Sequence, residues 1–186
     1  MIKYILHGGN SKKVNPDNDS FFREMTLGSI GKTRVLLNYF SREDGEVEQL
    51  AEQDKQRFLQ NSDNKDLEFE IATPERLSEQ LSRANVMYMR GGETDKLTQK
   101  MKLTSNLVEL FDNKVIAGSS AGVYVLSKYY WGNDSAKFGT GLGVLNFKTY
   151  CHYQPKDREI IQKLSTYKEQ LPLLVLPNYK WVVVYG

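Results

Sequence analysis

The chain contains 186 residues, of which 40% are hydrophobic and 26% charged, and its formal net charge is +2 at pH 7. This balance excludes a strongly basic nucleic-acid-binding surface, and no stretch approaches the roughly 20 apolar residues that span a bilayer. The single cysteine, Cys151, excludes an internal disulfide and a cysteine-rich metal site. Because residues 1–6 are too short for the apolar region of a signal peptide, we expect a cytoplasmic protein. We expect a single domain over 1–186, with neither a nucleic acid nor a membrane as partner.

Predicted strands and helices alternate through the first 117 residues. Short β-rich apolar runs predict strands, and apolar residues three or four apart predict helices. Strands are predicted at 3–6, 34–40, 67–72, 85–89 and 114–117, and helices at 46–61 and 74–83, with a short helix inside 11–32 and helical segments inside 94–112. Thr73 and Pro74 are predicted as the N-cap and first residue of one helix. These repeated units predict a doubly wound α/β fold, in which helices flank a mainly parallel sheet in a flavodoxin-like three-layer sandwich.

The pattern is looser in the last third of the chain. It predicts a helix at 121–131, a glycine-rich loop at 132–143, a strand at 148–153, a helix at 157–167, and strands at 171–176 and 181–185.

A possible nucleophile lies in the sequence Gly118-Ser119-Ser120-Ala121-Gly122. In a nucleophile elbow, a serine occupies a sharp turn between a strand and a helix, and small residues two positions away avoid collisions. A predicted strand precedes this segment and a predicted helix follows it. The spacing favours Ser120 over Ser119 as the nucleophile, although a glycine-rich turn without chemical function has the same composition.

A serine hydroxyl needs a base to accept its proton, and the chain offers two histidines. His152 lies in a predicted strand after the elbow, and His7 follows the first strand. Because ligands gather at the carboxyl ends of parallel strands, either histidine could reach Ser120, and His152 is the preferred candidate. Cys151, next to His152, is an alternative nucleophile, but a lone cysteine in a strand is more often a small buried apolar residue.

A second glycine-rich turn, Arg90-Gly91-Gly92-Glu93-Thr94, separates a predicted strand from a predicted helix. Backbone N–H groups in such a turn can stabilise negative charge on a substrate oxygen. We predict that Gly91 or Gly92 supplies one oxyanion donor and Ala121, directly after the nucleophile, the other. Arg90 is a candidate for binding a substrate carboxylate.

Taken together, these segments resemble the family of peptidase E (aspartyl dipeptidase) and cyanophycinase, which are serine peptidases with a fold like that of class I glutamine amidotransferases. The resemblance covers nearly the whole chain. It includes the glycines after His7, the loop at Gly91, the elbow serine Ser120, and Gly141-Leu142-Gly143, which resembles the family's segment ahead of its catalytic histidine. The resemblance implies that His152 is the base.

The chain departs from the family pattern in two places. The family's third catalytic residue is an acid in a Leu-Pro-Glu-Gly-like turn, and this chain has Asn178 after Leu176-Pro177. An amide oxygen can orient an imidazole but cannot stabilise imidazolium by charge. Asp134 is an alternative third member. Arg90 and Glu93 also flank the glycine loop, which changes the charge expected beside the oxyanion site.

The sequence therefore predicts a serine hydrolase that cleaves a small, dipeptide-like substrate without a metal or other cofactor, as a monomer or homodimer. Two alternatives remain open. One is an amidotransferase-like or esterase activity on the same scaffold, although a glutaminase is expected to have cysteine in the elbow. The other is a degenerate family member that binds or regulates without catalysis, which the replacement of the acid by Asn178 favours.

Overall fold

The computed structural model describes residues 1–186 and contains ten strands and seven α-helices. The strands are β1 (Lys3–His7), β2 (Thr33–Asn38), β3 (Leu67–Ile71), β4 (Val86–Met89), β5 (Val115–Ser119), β6 (Ser127–Gly132), β7 (Lys137–Thr140), β8 (Leu145–Tyr153), β9 (Leu173–Pro177) and β10 (Trp181–Tyr185). The helices are α1 (Pro16–Thr26), α2 (Val47–Asn61), α3 (Leu77–Arg83), α4 (Thr94–Lys102), α5 (Leu107–Leu110), α6 (Ala121–Leu126) and α7 (Arg158–Thr166).

Six strands form the larger sheet, in the order β10-β1-β5-β4-β2-β3. All neighbours are parallel except β10, which pairs antiparallel with β1. His7 at the end of β1 is paired with Ser119 at the end of β5, and Met89 at the end of β4 is paired with Gly118. The loops that follow β1, β4 and β5 therefore meet at one edge of the sheet, which is where ligands bind in open α/β folds.

The two faces of this sheet carry separate hydrophobic cores, as alternating side chains of a parallel sheet require. Tyr4 and Leu6 pack into a core that includes side chains of α3, α4, α5 and α6, whereas Ile5 packs into a core with α1 and α2. Helices thus cover both faces, and the predicted three-layer α/β architecture with a mainly parallel sheet is confirmed. None of the seven helices combines the length and hydropathy needed to cross a membrane.

The structure contains a second sheet that was not predicted from the sequence. Its order is β7-β6-β8-β9, with β6, β8 and β9 parallel and β7 antiparallel to β6. The predicted helix at 121–131 was wrong beyond Leu126, because residues 127–132 form β6, and β7 lies inside the predicted loop. At the switch, Ser127 Oγ donates to the Val123 carbonyl at 2.8 Å, and three aromatic residues of high β propensity follow at 129–131.

Thr73 and Pro74 also behave differently from the prediction. A short 3₁₀ turn, Pro74–Arg76, precedes α3, and the Thr73 side chain makes no capping hydrogen bond. Pro74 still occupies the first helical position, where its missing N–H costs nothing.

Candidate active site

Ser120 occupies the turn between β5 and α6 with φ 52° and ψ −105°. A positive φ is rare for a residue with a side chain, and such strain is typical of functional turns. Both backbone polar groups of Ser120 are hydrogen-bonded, which fixes the turn. The Ser120 N–H donates to the His7 carbonyl at 3.0 Å, and the Ser120 carbonyl accepts from the N–H groups of Val123 and Tyr124. The backbone has the geometry that the elbow sequence predicts.

Two glycines make this turn possible. A β-carbon at Gly118 would lie 2.5 Å from the carbonyl carbon of Gly122, and one at Gly122 would lie 2.6 Å from the Met89 oxygen. Both positions therefore exclude any side chain, which explains the Gly-x-Ser-x-Gly pattern of the segment.

His152 reaches Ser120 from the second sheet. Cys151 pairs with Leu176 and Tyr153 pairs with Pro177, so His152 is the extra residue of a β-bulge in β8, with φ 60°. Bulges often redirect a side chain beside an active site. Here the bulge brings the His152 imidazole from the smaller sheet to the serine at the edge of the larger one.

Ser120, His152 and Asn178 form a continuous hydrogen-bonded chain. His152 Nε2 lies 2.8 Å from Ser120 Oγ, and His152 Nδ1 lies 2.6 Å from Asn178 Oδ1. An amide oxygen can only accept, so Nδ1 carries the ring hydrogen and Nε2 has a free lone pair for the serine hydroxyl. The imidazole is therefore in the tautomer that a general base requires.

The backbone at Gly9 packs directly against the His152 ring. A β-carbon at Gly9 would lie 2.0 Å from His152 Cε1, and Gly9 has φ +118°. The His152 N–H also donates to the carbonyl of Gly8 at 2.9 Å. The glycines after β1 therefore position the imidazole as well as allowing the turn.

We expect Gly9→Ala to lower the rate of hydrolysis by about 10²-fold, because a displacement near 1 Å in a catalytic group has a cost of this order. Gly28→Ala is the matched control: Gly28 also has positive φ (+78°), and no atom lies within 4 Å of its β-carbon position. Steady-state kinetics and thermal unfolding of both variants check the prediction. Equal losses of activity in the two would show that backbone strain, and not displacement of the ring, is the cause.

Three backbone N–H groups near Ser120 are free to bind a substrate oxygen. Gly91, Gly92 and Ala121 donate to no protein acceptor. Ala121 begins α6, where the first N–H groups of a helix have no partner within it. The β-carbon position of Gly91 lies 3.2 Å from Ser120 Cβ, so the glycine loop runs beside the nucleophile.

Ser41 and Arg42, which lie in the loop after β2, fix the orientation of the glycine loop at Gly91 and Gly92. Ser41 Oγ donates to the Arg90 carbonyl at 2.8 Å, and Arg42 Nε donates to the Gly91 carbonyl at 2.6 Å. In a trans peptide the C=O and the following N–H point in opposite directions. Because the Arg90 and Gly91 carbonyls point toward Ser41 and Arg42, the N–H groups of Gly91 and Gly92 point away from Ser41 and Arg42. Neither residue was predicted from the sequence, because each lies 49 positions before its partner and leaves no local signal.

Arg90 does not line the cavity at Ser120. Its side chain is 4% exposed, and its Nη1 lies 2.8 Å from Oδ1 of Asp54, which is 2% exposed. Tyr39 donates its hydroxyl hydrogen to the other carboxylate oxygen of Asp54 at 2.9 Å. The structure thus corrects the expectation that Arg90 binds substrate, because the guanidinium is used in a buried ion pair.

A small cavity of about 190 Å³ opens in front of Ser120. Its lining residues are Gly92, Glu93, Thr94, Asp95, Ser120, Tyr124, Tyr130, Gly132, Asn133, Asp134, Ser135 and His152. Asp134 lies in this wall, but the Nδ1 atom of His152 that it would need is bonded to Asn178. The structure therefore favours Asn178 over Asp134 as the third member of the chain.

Cys151 is fully buried, and burial raises the pKa of its thiol well above the ordinary value. A thiol held in its protonated form is a poor nucleophile. The structure therefore supports the interpretation of Cys151 as a small core residue.

His7 serves the structure of the β1–α1 loop. The Gly9 N–H donates to His7 Nδ1 at 3.0 Å, so Nε2 carries the hydrogen and donates to Asn18 Oδ1 at 2.8 Å. The Asn18 amide donates in turn to the carbonyls of Asn10 and Lys13. His7 is completely buried, and burial lowers its pKa to about 4. This histidine therefore holds the loop that supports His152 and is neutral near pH 7.

The lowered pKa of His7 predicts a loss of stability in acid. In the unfolded chain His7 takes up a proton near its ordinary pKa of about 6.5, whereas the folded protein resists protonation down to about pH 4. The contribution is fully present above pH 6.5 and is lost as the pH falls to 4, by about 3 kcal/mol. Urea unfolding of wild type and His7→Gln at pH 7 and pH 4 measures it. A variant with the same pH dependence as wild type would contradict this assignment.

The larger sheet and a serine on a strained strand-to-helix turn beside a small cavity together define an α/β enzyme of the hydrolase class. Comparison with known sequences gives the family: the model of Peptidase family S51, the family of peptidase E, matches residues 6–186. The chain therefore belongs to this family of peptidases. A search of curated proteins gave no significant match.

Two solved structures share the fold. A peptidase from an acI-B1 Actinobacterium has 19% sequence identity and a TM-score of 0.67, over 99% of this chain and 84% of the other. A candidate peptidase E protein from Listeria monocytogenes EGD-e also has 19% identity and a TM-score of 0.67, over 100% and 95% of the two chains. At this identity the likeness shows the fold alone.

Proposed function

We propose that the protein is a serine peptidase that cleaves small, dipeptide-like substrates. The observation that supports this proposal is the hydrogen-bonded chain from Ser120 Oγ through the His152 imidazole to Asn178 Oδ1, with distances of 2.8 and 2.6 Å. Both distances lie in the range that a nucleophile and its base require. The cavity of about 190 Å³ agrees with a short substrate, because pockets that bind drug-sized ligands measure roughly 300–1,000 Å³.

The proposed reaction proceeds through an acyl-enzyme. Ser120 Oγ attacks the scissile carbonyl carbon while its proton passes to His152 Nε2, and the resulting oxyanion accepts hydrogen bonds from backbone N–H groups of Gly91 or Gly92 and of Ala121. The C–N bond then breaks, and the imidazolium returns the proton to the leaving amine. A water molecule, deprotonated by the same imidazole, hydrolyses the ester and restores the Ser120 hydroxyl.

Covalent labelling with a fluorophosphonate tests the nucleophile. We expect wild type to gain one adduct, mapped to Ser120 by mass spectrometry, and Ser120→Ala to gain none. Ser119→Ala is the matched control, because the buried Ser119 hydroxyl lies 3.3 Å from His7 Nδ1 and takes no part in the proposed chain. Labelling that persists in Ser120→Ala, or that disappears in Ser119→Ala alone, would contradict the proposal.

A binding protein without peptidase turnover is the second candidate, and Asn178 is the observation that favours it. Without a carboxylate, the imidazolium formed during catalysis lacks charge stabilisation. A folded wild-type sample that neither reacts with the fluorophosphonate nor cleaves any dipeptide would support this second candidate.

A further inference from the structure

The walls of the cavity at Ser120 come from two segments. One is the start of α4, where Glu93, Thr94 and Asp95 follow the glycine loop, and the other is the turn between β6 and β7, residues 132–135. These segments line the cavity together with Ser120, so they would contact the part of a substrate that lies next to the scissile bond. Their charges therefore bear on which peptides enter.

The charged side chains that line the cavity are all acidic. They are Glu93, Asp95 and Asp134, and no lysine or arginine is among the lining residues. Glu93 is compensated by Lys96, whose Nζ lies 3.1 Å from its carboxylate. Asp95 and Asp134 make no ion pair, and the Asp95 carboxylate accepts only a long hydrogen bond from Tyr130, at 3.4 Å. Two uncompensated carboxylates thus remain beside the reactive serine.

The two guanidinium groups at the glycine loop, those of Arg42 and Arg90, do not balance these carboxylates within the cavity. Arg90 is paired with Asp54 in the interior, and Arg42 donates from Nε to the Gly91 carbonyl without lining the cavity. A substrate carboxylate would therefore meet negative charge and no cationic partner. A substrate cation would meet two free carboxylates.

We propose that this cavity selects peptides with a positive charge next to the scissile bond and rejects acidic ones. The proposal rests on the proposed function, because the Ser120–His152 pair in the same cavity marks where the substrate binds. The charge belongs to a lysine or arginine side chain, because the N-terminal ammonium is common to all free dipeptides and cannot distinguish one from another. Asp95 and Asp134 are both exposed, so each contact between unlike charges is worth a factor of about 5 or less, and the two together set a preference of about 10-fold.

Binding to Ser120→Ala measures this preference without requiring turnover. Calorimetry would compare Lys-Leu, Met-Leu and Glu-Leu, and N-acetyl-Lys-Leu would separate the side-chain ammonium from the N-terminal one. We expect Lys-Leu to bind about 10-fold more tightly than Met-Leu and Glu-Leu to bind most weakly, with a preference that shrinks at high salt. If the acetylated peptide keeps the affinity, the side-chain ammonium carries the effect as proposed; if it loses the affinity, the N-terminus carries it and the inference is overturned.

Charge-removing variants locate the effect. In the Ser120→Ala background, Asp95→Asn with Asp134→Asn should reduce the discrimination between Lys-Leu and Glu-Leu by at least about 10-fold. Asp66→Asn is the control, because Asp66 is an exposed acid that precedes β3 and does not line the cavity. Equal binding of Lys-Leu and Glu-Leu, or a preference that survives the double substitution, would overturn the inference. Fluorophosphonate labelling of wild type reports separately on the proposed function, so the two can fail independently.

Discussion

Replacing His152 with alanine is expected to lower kcat for peptide cleavage by up to about 10⁶-fold, because removing the histidine of the subtilisin triad alone costs a factor of this order. The His152 Nε2 atom lies 2.8 Å from Ser120 Oγ, and the chain has only one other histidine, which is buried and bonded to Asn18. Because His152 is only partly buried at the cavity edge, its loss should change folding little. Single-turnover kinetics and near-ultraviolet circular dichroism check both parts.

Added imidazole sharpens this test. In His152→Ala, a free imidazole can enter the space left by the side chain and should restore part of the lost rate, with a dependence on imidazole concentration. The same addition should not help Ser120→Ala, which lacks the nucleophile. A His152→Ala enzyme that retains the wild-type rate would mean that another group accepts the proton.

Replacing Asn178 with aspartate is expected to raise kcat by about 10- to 10³-fold. In a complete triad, exchanging the acid for its amide costs about 10⁴-fold, much of it through the wrong imidazole tautomer. Asn178 already imposes the correct tautomer through its Oδ1 atom at 2.6 Å, so the gain should come from charge stabilisation of the imidazolium and be smaller than that full factor.

Asn133→Asp is the matched comparison for this gain. Asn133 lines the same cavity but bonds to Tyr124 and to the Cys151 carbonyl, without contact to His152. It therefore adds the same charge without touching the base, and its kcat should not rise. A comparable increase of kcat in both variants would mean that any added negative charge in the cavity raises the rate, without direct contact with His152. No increase in Asn178→Asp would show that charge at this position does not limit the reaction.

The sequence predicted the layout of the larger sheet because its signals are local. Apolar runs followed by helical spacing mark β2 with α2, and the same alternation recurs up to β5. The second sheet was not predicted because the local signals at its first strand conflict. Helical spacing continues past Leu126, whereas the aromatic run at 129–131 favours a strand. Pairing of β6 with β8, which is not a local signal, stabilises the strand.

The candidate site was predictable where a motif carries its own geometry. The elbow pattern predicts the turn at Ser120, and the family resemblance selects His152 and Asn178, which the structure brings into one hydrogen-bonded chain. Contacts between distant segments left no local signal. The Arg42 side chain orients a loop 49 residues away, and Gly9 supports a ring 143 residues away. For the same reason, the pairing of Arg90 with Asp54 could not be read from the sequence.

The division of the site between the two sheets affects when the chain can become active. Ser120 follows β5 of the larger sheet, whereas His152 lies on β8 of the smaller one, and Asn178 lies in the turn that connects β9 of the smaller sheet to β10 of the larger. A ribosome therefore completes the proposed nucleophile long before the proposed base and its partner. Nascent or truncated chains that end before residue 152 would carry the proposed nucleophile without its proposed base.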